Sequence, residues 1–311
     1  KNSKASQLYE FLRYHSCLMQ VPPELTHWTI IVAAILAFAP VVAFGFCGAA
    51  LMGRIRALQI VFPAIIAVPY LLAAIPLGWF RWEWFALYAL LPEVVAAALS
   101  VMARFDPEQR GHWLDFIVLL ALGMAVDLRW FESAWPRRIV FMNKLLLLDA
   151  GLYGFQCVRG LTGVGFDLRL RWSDWKIGLR EWIFYTPIAV GLGLALRFLH
   201  WHERVDRPQL LPLAWLFTFF FIALPEEIYF RGWMQNLLER RLGRTASLLV
   251  TAVIFGLSHF NKRAAIFNWR YVLLAAIAGV FYGRAWRAER RTGASAITHA
   301  TVDTLWGALF R

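Results

Sequence analysis

The sequence predicts an all-α, polytopic integral membrane protein with about eight to ten transmembrane helices. Of its 311 residues, 60% are hydrophobic and only 17% are charged, whereas a soluble globular domain is roughly 45–50% apolar. The mean hydropathy is +0.54, and the apolar residues are gathered into long segments. These observations exclude a soluble protein with a packed core.

Ten apolar segments are candidate membrane helices, because each approaches the roughly 20 residues that cross the hydrocarbon core of a bilayer. They are 28–50, 57–80, 84–103, 113–128, 138–158, 181–201, 210–232, 245–260, 270–287 and 294–310. The weakest are 113–128 and 294–310, which are short, and 138–158, which contains Lys144 and Asp149. The predicted number of spans is therefore eight to ten. The helices that carry the active site are predicted in the C-terminal half.

A charged segment with several glycines divides the chain into two groups of helices. Residues 159–180 form this interruption, and we interpret them as a basic connecting loop. An N-terminal transmembrane bundle of unknown role, residues 28–158, precedes the loop, and residues 181–311 follow it. The first residues, 1–27, are polar and lack the progression of a cleaved signal peptide, so we predict an interfacial segment there.

The net charge of +12 comes mainly from lysines and arginines that lie between apolar spans. Such loop residues are expected to face anionic lipid headgroups, so the charge does not indicate nucleic-acid binding. The basic segments 159–180, 240–244 and 284–291 are predicted to share one face, which we assign to the cytoplasm. The three cysteines are scattered and form neither a disulfide framework nor a metal-binding spacing.

Two adjacent glutamates follow the apolar run in the segment FFFIALPEEIYFRGWMQ, residues 219–235. A charged side chain at membrane depth costs at least roughly 2.5–3.5 kcal/mol on insertion scales, so such a group indicates function and a nearby partner. Glu227 and Arg231 are four residues apart and are predicted to pair on one helix face. Glu226 then faces elsewhere without that partner. Pro225 predicts that the helix breaks or kinks and that a new helical segment begins there.

Later segments supply further polar side chains, and His259 is predicted at a depth similar to that of Glu226. If the chain forms an antiparallel helical hairpin about residues 241–245, Glu226 and His259 both lie roughly 20 Å from the turn, at about 1.5 Å per residue. The last span contains His299 and Asp303, which are four residues apart and share a helix face. His299 follows the break at Gly293 by only six residues, so bringing it level with Glu226 would require a tilted helix or a loop that dips into the protein.

Three motifs occur in order across these membrane segments. They are Glu226-Glu227-x-x-x-Arg231, Phe255-x-x-x-His259 and His299-x-x-x-Asp303. In this order they resemble the motifs of the CPBP intramembrane protease family, which includes the CAAX prenyl endoproteases of the Ras-converting type and bacteriocin-processing proteins. The resemblance covers residues 180–311 and implies an intramembrane endopeptidase; it leaves the N-terminal spans unexplained.

The resemblance also implies a role for each motif residue. Glu226 would be the general base that activates a water molecule, and His259 would assist the water or protonate the leaving amine. His299 would donate to the oxyanion, and Asp303 would orient His299. The residues expected to support the site are Glu227, Arg231 and Phe255.

A zinc-dependent form of the same protease is an open alternative. Glu226, His259 and His299 are ligands of the kind that hold a catalytic zinc ion. The H-E-x-x-H helix of many zinc proteases is absent from the sequence. We therefore favour a metal-free mechanism and expect no cofactor.

Two alternatives lie outside protease chemistry. A proton- or ion-coupled transporter would use the same residues as a relay, but it is expected to carry a mirrored motif in the N-terminal half. The acidic residues in the N-terminal spans form no such motif; they are Glu93, Asp115, Asp127 and Asp149. The other alternative is a non-catalytic membrane scaffold.

For a protease, the expected partners are membrane lipids and a membrane-anchored or lipid-associated peptide or protein substrate. The cleaved segment would be a CAAX-type tail, a leader or a C-terminal sorting segment. We expect no nucleic acid partner, and the sequence does not specify an oligomeric state. The expected location is the bacterial inner (plasma) membrane, with the active site opening toward the cytoplasmic face.

Overall fold

The computed structural model describes residues 27–54, 63–201, 208–262 and 267–310. These residues are mostly helical and form no strand, which confirms the predicted fold class. The helices are α1 (Trp28–Arg54), α2 (Val68–Ala74), α3 (Trp82–Phe105), α4 (Trp113–Asp127), α5 (Phe141–Gly151), α6 (Trp172–Ala195), α7 (Leu211–Thr218), α8 (Leu224–Glu227), α9 (Asn236–Leu257), α10 (Trp269–Glu289) and α11 (Thr292–Leu309). Short 3₁₀ turns span Pro63–Ala67, Glu132–Ala134, Arg137–Ile139 and Pro208–Leu210, and π-helices span Leu152–Val158, Phe219–Ala223 and Ile228–Gln235.

Three helical stretches in the described residues are long and apolar enough to cross a membrane: Trp28–Gly48, Trp82–Phe105 and Pro208–Leu257. Large apolar side chains are exposed along these and neighbouring helices, as expected of surfaces that face lipid. Each of the ten apolar segments predicted from the sequence contains helix. The chain is therefore an integral membrane protein, while the number of its spans stays a prediction. The predicted interfacial segment, residues 1–27, lies outside the described residues except for His27.

The stretch from α7 to α9 is an antiparallel helical hairpin. The chain reverses at Gly243, where the backbone has φ 75° and ψ 177°. Beyond this turn the ring of Phe255 returns to lie edge-on to the ring of Phe230, with centroids 5.0 Å apart. The hairpin predicted from the sequence is therefore confirmed, and the two motifs on its arms lie side by side.

The helix does not break at Pro225. Ala223, Leu224 and Ile228 all have right-handed helical backbone angles, so the helix continues through the proline. Proline lacks an N–H donor and its ring crowds the carbonyl one turn earlier. The wider π-helices on both sides of α8 absorb this disturbance. The two glutamates consequently lie within a continuous helix rather than in the first turn of a new one.

Helix α11 lies at the centre of the C-terminal group. It packs against α6, α7 and α10, and every residue from Thr292 to Val302 is buried. Its many small residues permit close approach: a Cβ atom at Gly178 of α6 would lie 2.8 Å from the carbonyl oxygen of Ala294. Because α11 is enclosed by other helices, the polar residues that it carries in this stretch face protein rather than lipid.

Hydrogen bonds and ion pairs join the loops at one end of the helices, which we call the basic end. Arg159 lies 3.0 Å from Asp115 and 2.6 Å from Asp106. Arg240 donates to the carbonyl oxygen of Thr162 over 2.6 Å. The Glu239 side chain lies nearby, 2.8 Å from Arg290 and 3.7 Å from Arg244. The prediction that the three basic segments share one face is therefore confirmed, whereas assigning that face to the cytoplasm stays a prediction.

The connecting loop is shorter than predicted, because α6 already begins at Trp172. The carboxylate of Asp174 accepts a hydrogen bond from the backbone N–H of Arg171 over 2.8 Å. This contact caps the first turn of the helix. Asp174 also accepts from Arg291 over 2.8 Å, so the same carboxylate ties the start of α6 to the start of α11. The predicted loop at 159–180 is thus wrong for residues 172–180.

Candidate active site

A fully buried carboxylate, that of Glu227, joins two of the three sequence motifs. Its Oε1 atom lies 2.9 Å from Nδ1 of His299. Its Oε2 atom lies 3.1 Å from Nε of Arg231 and accepts a hydrogen bond from the hydroxyl of Ser295. The predicted pairing of Glu227 with Arg231 is confirmed, and the same carboxylate also holds the histidine of α11.

Arg231 anchors this carboxylate within an aromatic cage. The guanidinium is fully buried and donates from Nη2 to the carbonyl oxygen of Gly279 over 3.3 Å. It lies over the rings of Phe255 and Tyr282, at 4.8 and 5.6 Å from their centroids. Cation–π contacts of this kind gain strength where water is excluded. The predicted supporting residues, Arg231 and Phe255, thus contact each other directly.

The ring of His299 is held on one face and at its edges. It stacks on Tyr282 with centroids 4.6 Å apart and an interplanar angle of 18°, and it meets Phe255 edge-on at 5.6 Å. Because an ionised Glu227 accepts hydrogen bonds only, Nδ1 of His299 is the donor in their contact. The opposite atom, Nε2, is therefore the one directed into the site.

Two carboxylates face Nε2 of His299. Oδ2 of Asp303 lies at 3.4 Å and Oε2 of Glu226 at 3.9 Å. The side chains of Asp303 and Glu226 are 40% and 22% exposed, whereas that of His299 is only 3% exposed. The site is therefore accessible on the side of the two carboxylates and closed on the side of Glu227.

The accessible side faces away from the basic end. Thr292, at the start of α11, donates its backbone N–H to Gly165 in the basic-end loops. His299 lies roughly 10 Å along the helix from Thr292, and the exposed Asp303 lies one turn beyond His299. The two orientation predictions therefore conflict, because the basic end and the open side of the site face opposite ends of the helices. They cannot both face the cytoplasm.

His259 lies in the turn after α9. Its Nδ1 atom is 2.8 Å from the carbonyl oxygen of Phe255, so Nδ1 donates and Nε2 keeps a free lone pair. The hydroxyl of Ser258 donates to the same carbonyl over 2.8 Å, which gives this serine a backbone-bonding role. Within the described residues no hydrogen bond or ion pair joins His259 to Glu226, although the two groups interact electrostatically.

Three charged residues near Glu226 were not identified as site residues from the sequence. The positive charges of Lys262 and of Lys144 on α5 interact electrostatically with the carboxylate of Glu226. Asp127 of α4 interacts with both lysines and with Glu226. The amide of Asn261 donates to the backbone carbonyl of Asp127 over 2.8 Å, which ties the His259 turn to α4. The N-terminal bundle therefore contributes charge beside the candidate site.

The zinc alternative would use Glu226, His259 and His299. Across the described segments, no three His, Cys, Asp or Glu side chains are placed to hold a metal ion. Nδ1 of His259 is held by a backbone carbonyl and Nδ1 of His299 by Glu227, which leaves Nε2 of each ring available. The arrangement places a histidine Nε2 beside two carboxylates, and the absence of a cofactor stays a prediction.

Comparison with known proteins supports this assignment. Residues 208–305 match the family model described as Rce1-like, type II CAAX prenyl endopeptidase, and this range includes all three motifs. Searches of curated proteins and of solved structures returned no match. The predicted family is confirmed, and the general activity that it supports is that of a CAAX-type intramembrane endopeptidase. Residues 208–305 of this membrane protein are therefore similar to the Rce1-like CAAX endopeptidase family.

Proposed function

We propose that the protein is an intramembrane peptidase of the glutamic type, which hydrolyses a peptide bond of a membrane-proximal segment with a water molecule activated by Glu226. One observation carries the proposal. Nε2 of His299 faces the accessible carboxylate of Glu226, while Nδ1 of the same ring is held by the buried Glu227. A water molecule and a substrate carbonyl group would meet between Nε2 of His299 and the carboxylate of Glu226.

In this mechanism Glu226 takes a proton from the water as the hydroxyl oxygen attacks the peptide carbonyl carbon. The carbonyl oxygen becomes an oxyanion and accepts a hydrogen bond from Nε2 of His299 when that histidine is protonated at both nitrogens. Collapse of the tetrahedral intermediate breaks the C–N bond, and the leaving amine takes a proton from Glu226. His259, with its free Nε2 lone pair, assists the water or relays that proton.

The proposed substrate is a membrane-anchored or lipid-associated peptide or protein. A CAAX-type tail, a leader or a C-terminal sorting segment would reach the site as an extended chain from its accessible side. Membrane lipids are the other proposed partners. We propose no cofactor for this reaction, since Glu226 and the two histidines supply the proton transfers.

We place the protein in the bacterial plasma membrane with the accessible side of the site toward the cytoplasm, where newly made substrates first appear. The basic end would then face outward, in contrast to the assignment made from the sequence. Single cysteines at Arg129 and Glu108, introduced without Cys17, Cys47 and Cys157, would test this orientation. An impermeant maleimide applied to intact cells should label the Glu108→Cys protein. Labelling of only the Arg129→Cys protein would reverse the orientation.

The activity is tested by comparing membrane proteomes of cells that carry the wild-type protein or Glu226→Gln at equal abundance. Substrates should lose a terminal fragment with the wild type only. Glu83→Gln is the matched control, because Glu83 is an exposed acid that pairs with Arg81 away from the site, and it should cleave like the wild type. Fragments that persist with Glu226→Gln would contradict the proposal, as would their absence with the wild type.

Metal dependence distinguishes the zinc form of the reaction. We expect cleavage of a substrate found in the proteome comparison to survive prolonged chelation of the purified protein. Loss of cleavage that is restored by added zinc, but not by magnesium, would replace the metal-free mechanism with a zinc mechanism.

A further inference from the structure

A cavity of about 270 Å³ lies at the basic end, separate from the candidate active site. Its lining residues come from α6, α9 and α10 and are Arg180, Glu181, Arg244, Arg284, Arg287 and Ala288. Four guanidinium groups thus surround one space, and Glu181 is the single acid among these lining residues. Helix α10 packs against both α6 and α9, so the three helices form a groove with α10 as its floor.

Glu181 forms ion pairs with two of the arginines, Arg180 and Arg284. Its carboxylate is fully buried and accepts from Arg180 at 2.8 Å, while Nε of Arg284 lies 3.1 Å from its other oxygen. The side chains of Arg180 and Arg284 remain about half exposed, at 52% and 47%. Since Arg180 uses only Nε and Nη2 in this pair, each guanidinium keeps donors that point outward.

The other two arginines are not neutralised within the cavity. Arg287 interacts unfavourably with Arg244, because both carry the same charge. Within the described residues Arg244 has an ion pair with Glu239 at 3.7 Å, and that carboxylate lies closer to Arg290 and also acts favourably on Arg287 from outside the cavity lining. The lining therefore holds four positive charges against one negative charge, which favours a bound anion with several acceptor oxygens.

Apolar surface continues from the cavity along the helices. Ile183 and Phe184 are exposed on α6 one turn beyond the Arg180–Glu181 pair, and Leu249 and Val253 are exposed on α9 beyond Arg244. Because these residues lie farther from the basic end, they are at the level of the acyl chains when the arginines are at the level of the headgroups.

We propose that this cavity binds a phosphate group, and that the source of the phosphate is the headgroup of an anionic phospholipid whose acyl chains lie along the exposed residues of α6 and α9. The arginines supply the planar, charge-assisted contacts that phosphate oxygens accept. The site is independent of the proposed peptidase mechanism, because none of its lining residues belongs to the three motifs.

The test uses the full-length protein and measures bound lipid by native mass spectrometry. The probes are phosphatidylglycerol, phosphatidylcholine and inorganic pyrophosphate. The variant is Arg244→Gln/Arg287→Gln, which leaves Glu181 and both of its partners intact. The matched control is Arg81→Gln/Arg110→Gln, which removes the same charge from two exposed arginines elsewhere. Thermal unfolding of both variants establishes that they are folded.

We expect the wild type and the control to bind phosphatidylglycerol more tightly than phosphatidylcholine. The variant should lose affinity for phosphatidylglycerol by at least about tenfold, because two charge-assisted contacts are removed. Pyrophosphate that binds the wild type as tightly as phosphatidylglycerol, and is lost in the variant, would overturn the lipid source. Equal phosphatidylglycerol binding by a folded variant and the control would overturn the site itself.

Discussion

Nδ1 of His299 and Oε1 of Glu227 lie 2.9 Å apart in the closed interior of the candidate site. The motif resemblance implies that Asp303 orients this histidine, but Asp303 faces the opposite nitrogen and is partly exposed. Glu227 is fully buried and is itself fixed by Arg231 and Ser295. The more rigid carboxylate is thus Glu227, and we infer that it is the positioning residue for His299.

Kinetics of variants at the two carboxylates test this inference. Asp303→Asn keeps a side chain of the same shape, so we expect its kcat on a substrate found by the proteome comparison to stay within about tenfold of wild type. Glu227→Gln presents an amide that is free to turn its NH₂ group toward His299, and we expect kcat to fall by about 100-fold with little change in KM. The opposite ranking would return the orienting role to Asp303.

The buried ion pair should couple strongly in a double-mutant cycle. Removing one partner leaves an uncompensated charge, so Glu227→Gln alone should cost about 3–5 kcal/mol of unfolding free energy. The double variant Glu227→Gln/Arg231→Met should cost less than the sum of the single variants, by at least about 1 kcal/mol. Denaturant unfolding of the purified protein measures these values.

The exposed pair of Arg81 and Glu83 is the control for this cycle. These side chains lie 2.7 Å apart at the protein surface, where ion pairs contribute about 0–1 kcal/mol. Their coupling should therefore be smaller than that of Glu227 with Arg231. Equal coupling energies for the two pairs would contradict a tightly packed, buried ion pair between Glu227 and Arg231.

The reversal at Gly243 should require glycine. Its φ of 75° and ψ of 177° lie in a region that other residues enter only at a cost of about 1–3 kcal/mol. Since a Cβ atom at this position would meet no other atom within 4 Å, Gly243→Ala should destabilise the protein through backbone strain alone. The control Gly191→Ala also meets open space but lies within helix α6, where alanine is favoured by about 0.5–1 kcal/mol. In thermal unfolding, the Tm should fall for Gly243→Ala and rise for Gly191→Ala. An equal shift of Tm in both variants would contradict a strained turn at Gly243.

The basic end should weaken in acid. Burial alone would raise the pKa of the Asp106 carboxyl, but backbone N–H groups of Arg110 and Gly111 and the charge of Arg159 together lower it. Asp106 therefore contributes stability that is present above its unfolded pKa of about 3.9 and is lost as the pH falls through the lower folded value. The stability that Asp106 contributes is therefore lost below about pH 4.

The variant Asp106→Asn lacks this titration and should show a shallower loss of stability in acid than the wild type, from a lower starting value at neutral pH. The control Glu108→Gln removes an exposed acid from the same loop and should follow the wild type. Denaturant unfolding measured at intervals between about pH 3 and about pH 7 checks both expectations. If the unfolding free energies of the wild type and Asp106→Asn changed in parallel with pH, ionised Asp106 would not contribute to stability in the way proposed.

Helix periodicity allowed part of this structure to be predicted. The pairing of Glu227 with Arg231, the hairpin that brings His259 level with Glu226 and the shared face of His299 and Asp303 all follow from spacing along one or two neighbouring helices. In contrast, of the break or kink predicted at Pro225 the break does not occur, because the helix accommodates the proline by widening into π-helices on both sides. The proline predicted where the helix is irregular, but not that the irregularity is a pair of π-helices.

The sequence by itself determined the membrane environment, the helical class and the residues that carry the candidate chemistry, since these depend on apolar length, helical period and motif spacing. Only the tertiary structure decided that Glu227 holds His299, that Asp127 and Lys144 interact electrostatically with Glu226, and that four arginines line one cavity at the basic end. Those contacts join helices that are far apart along the chain. Their geometry depends on how side chains of different helices interlock, which no spacing within a single helix specifies.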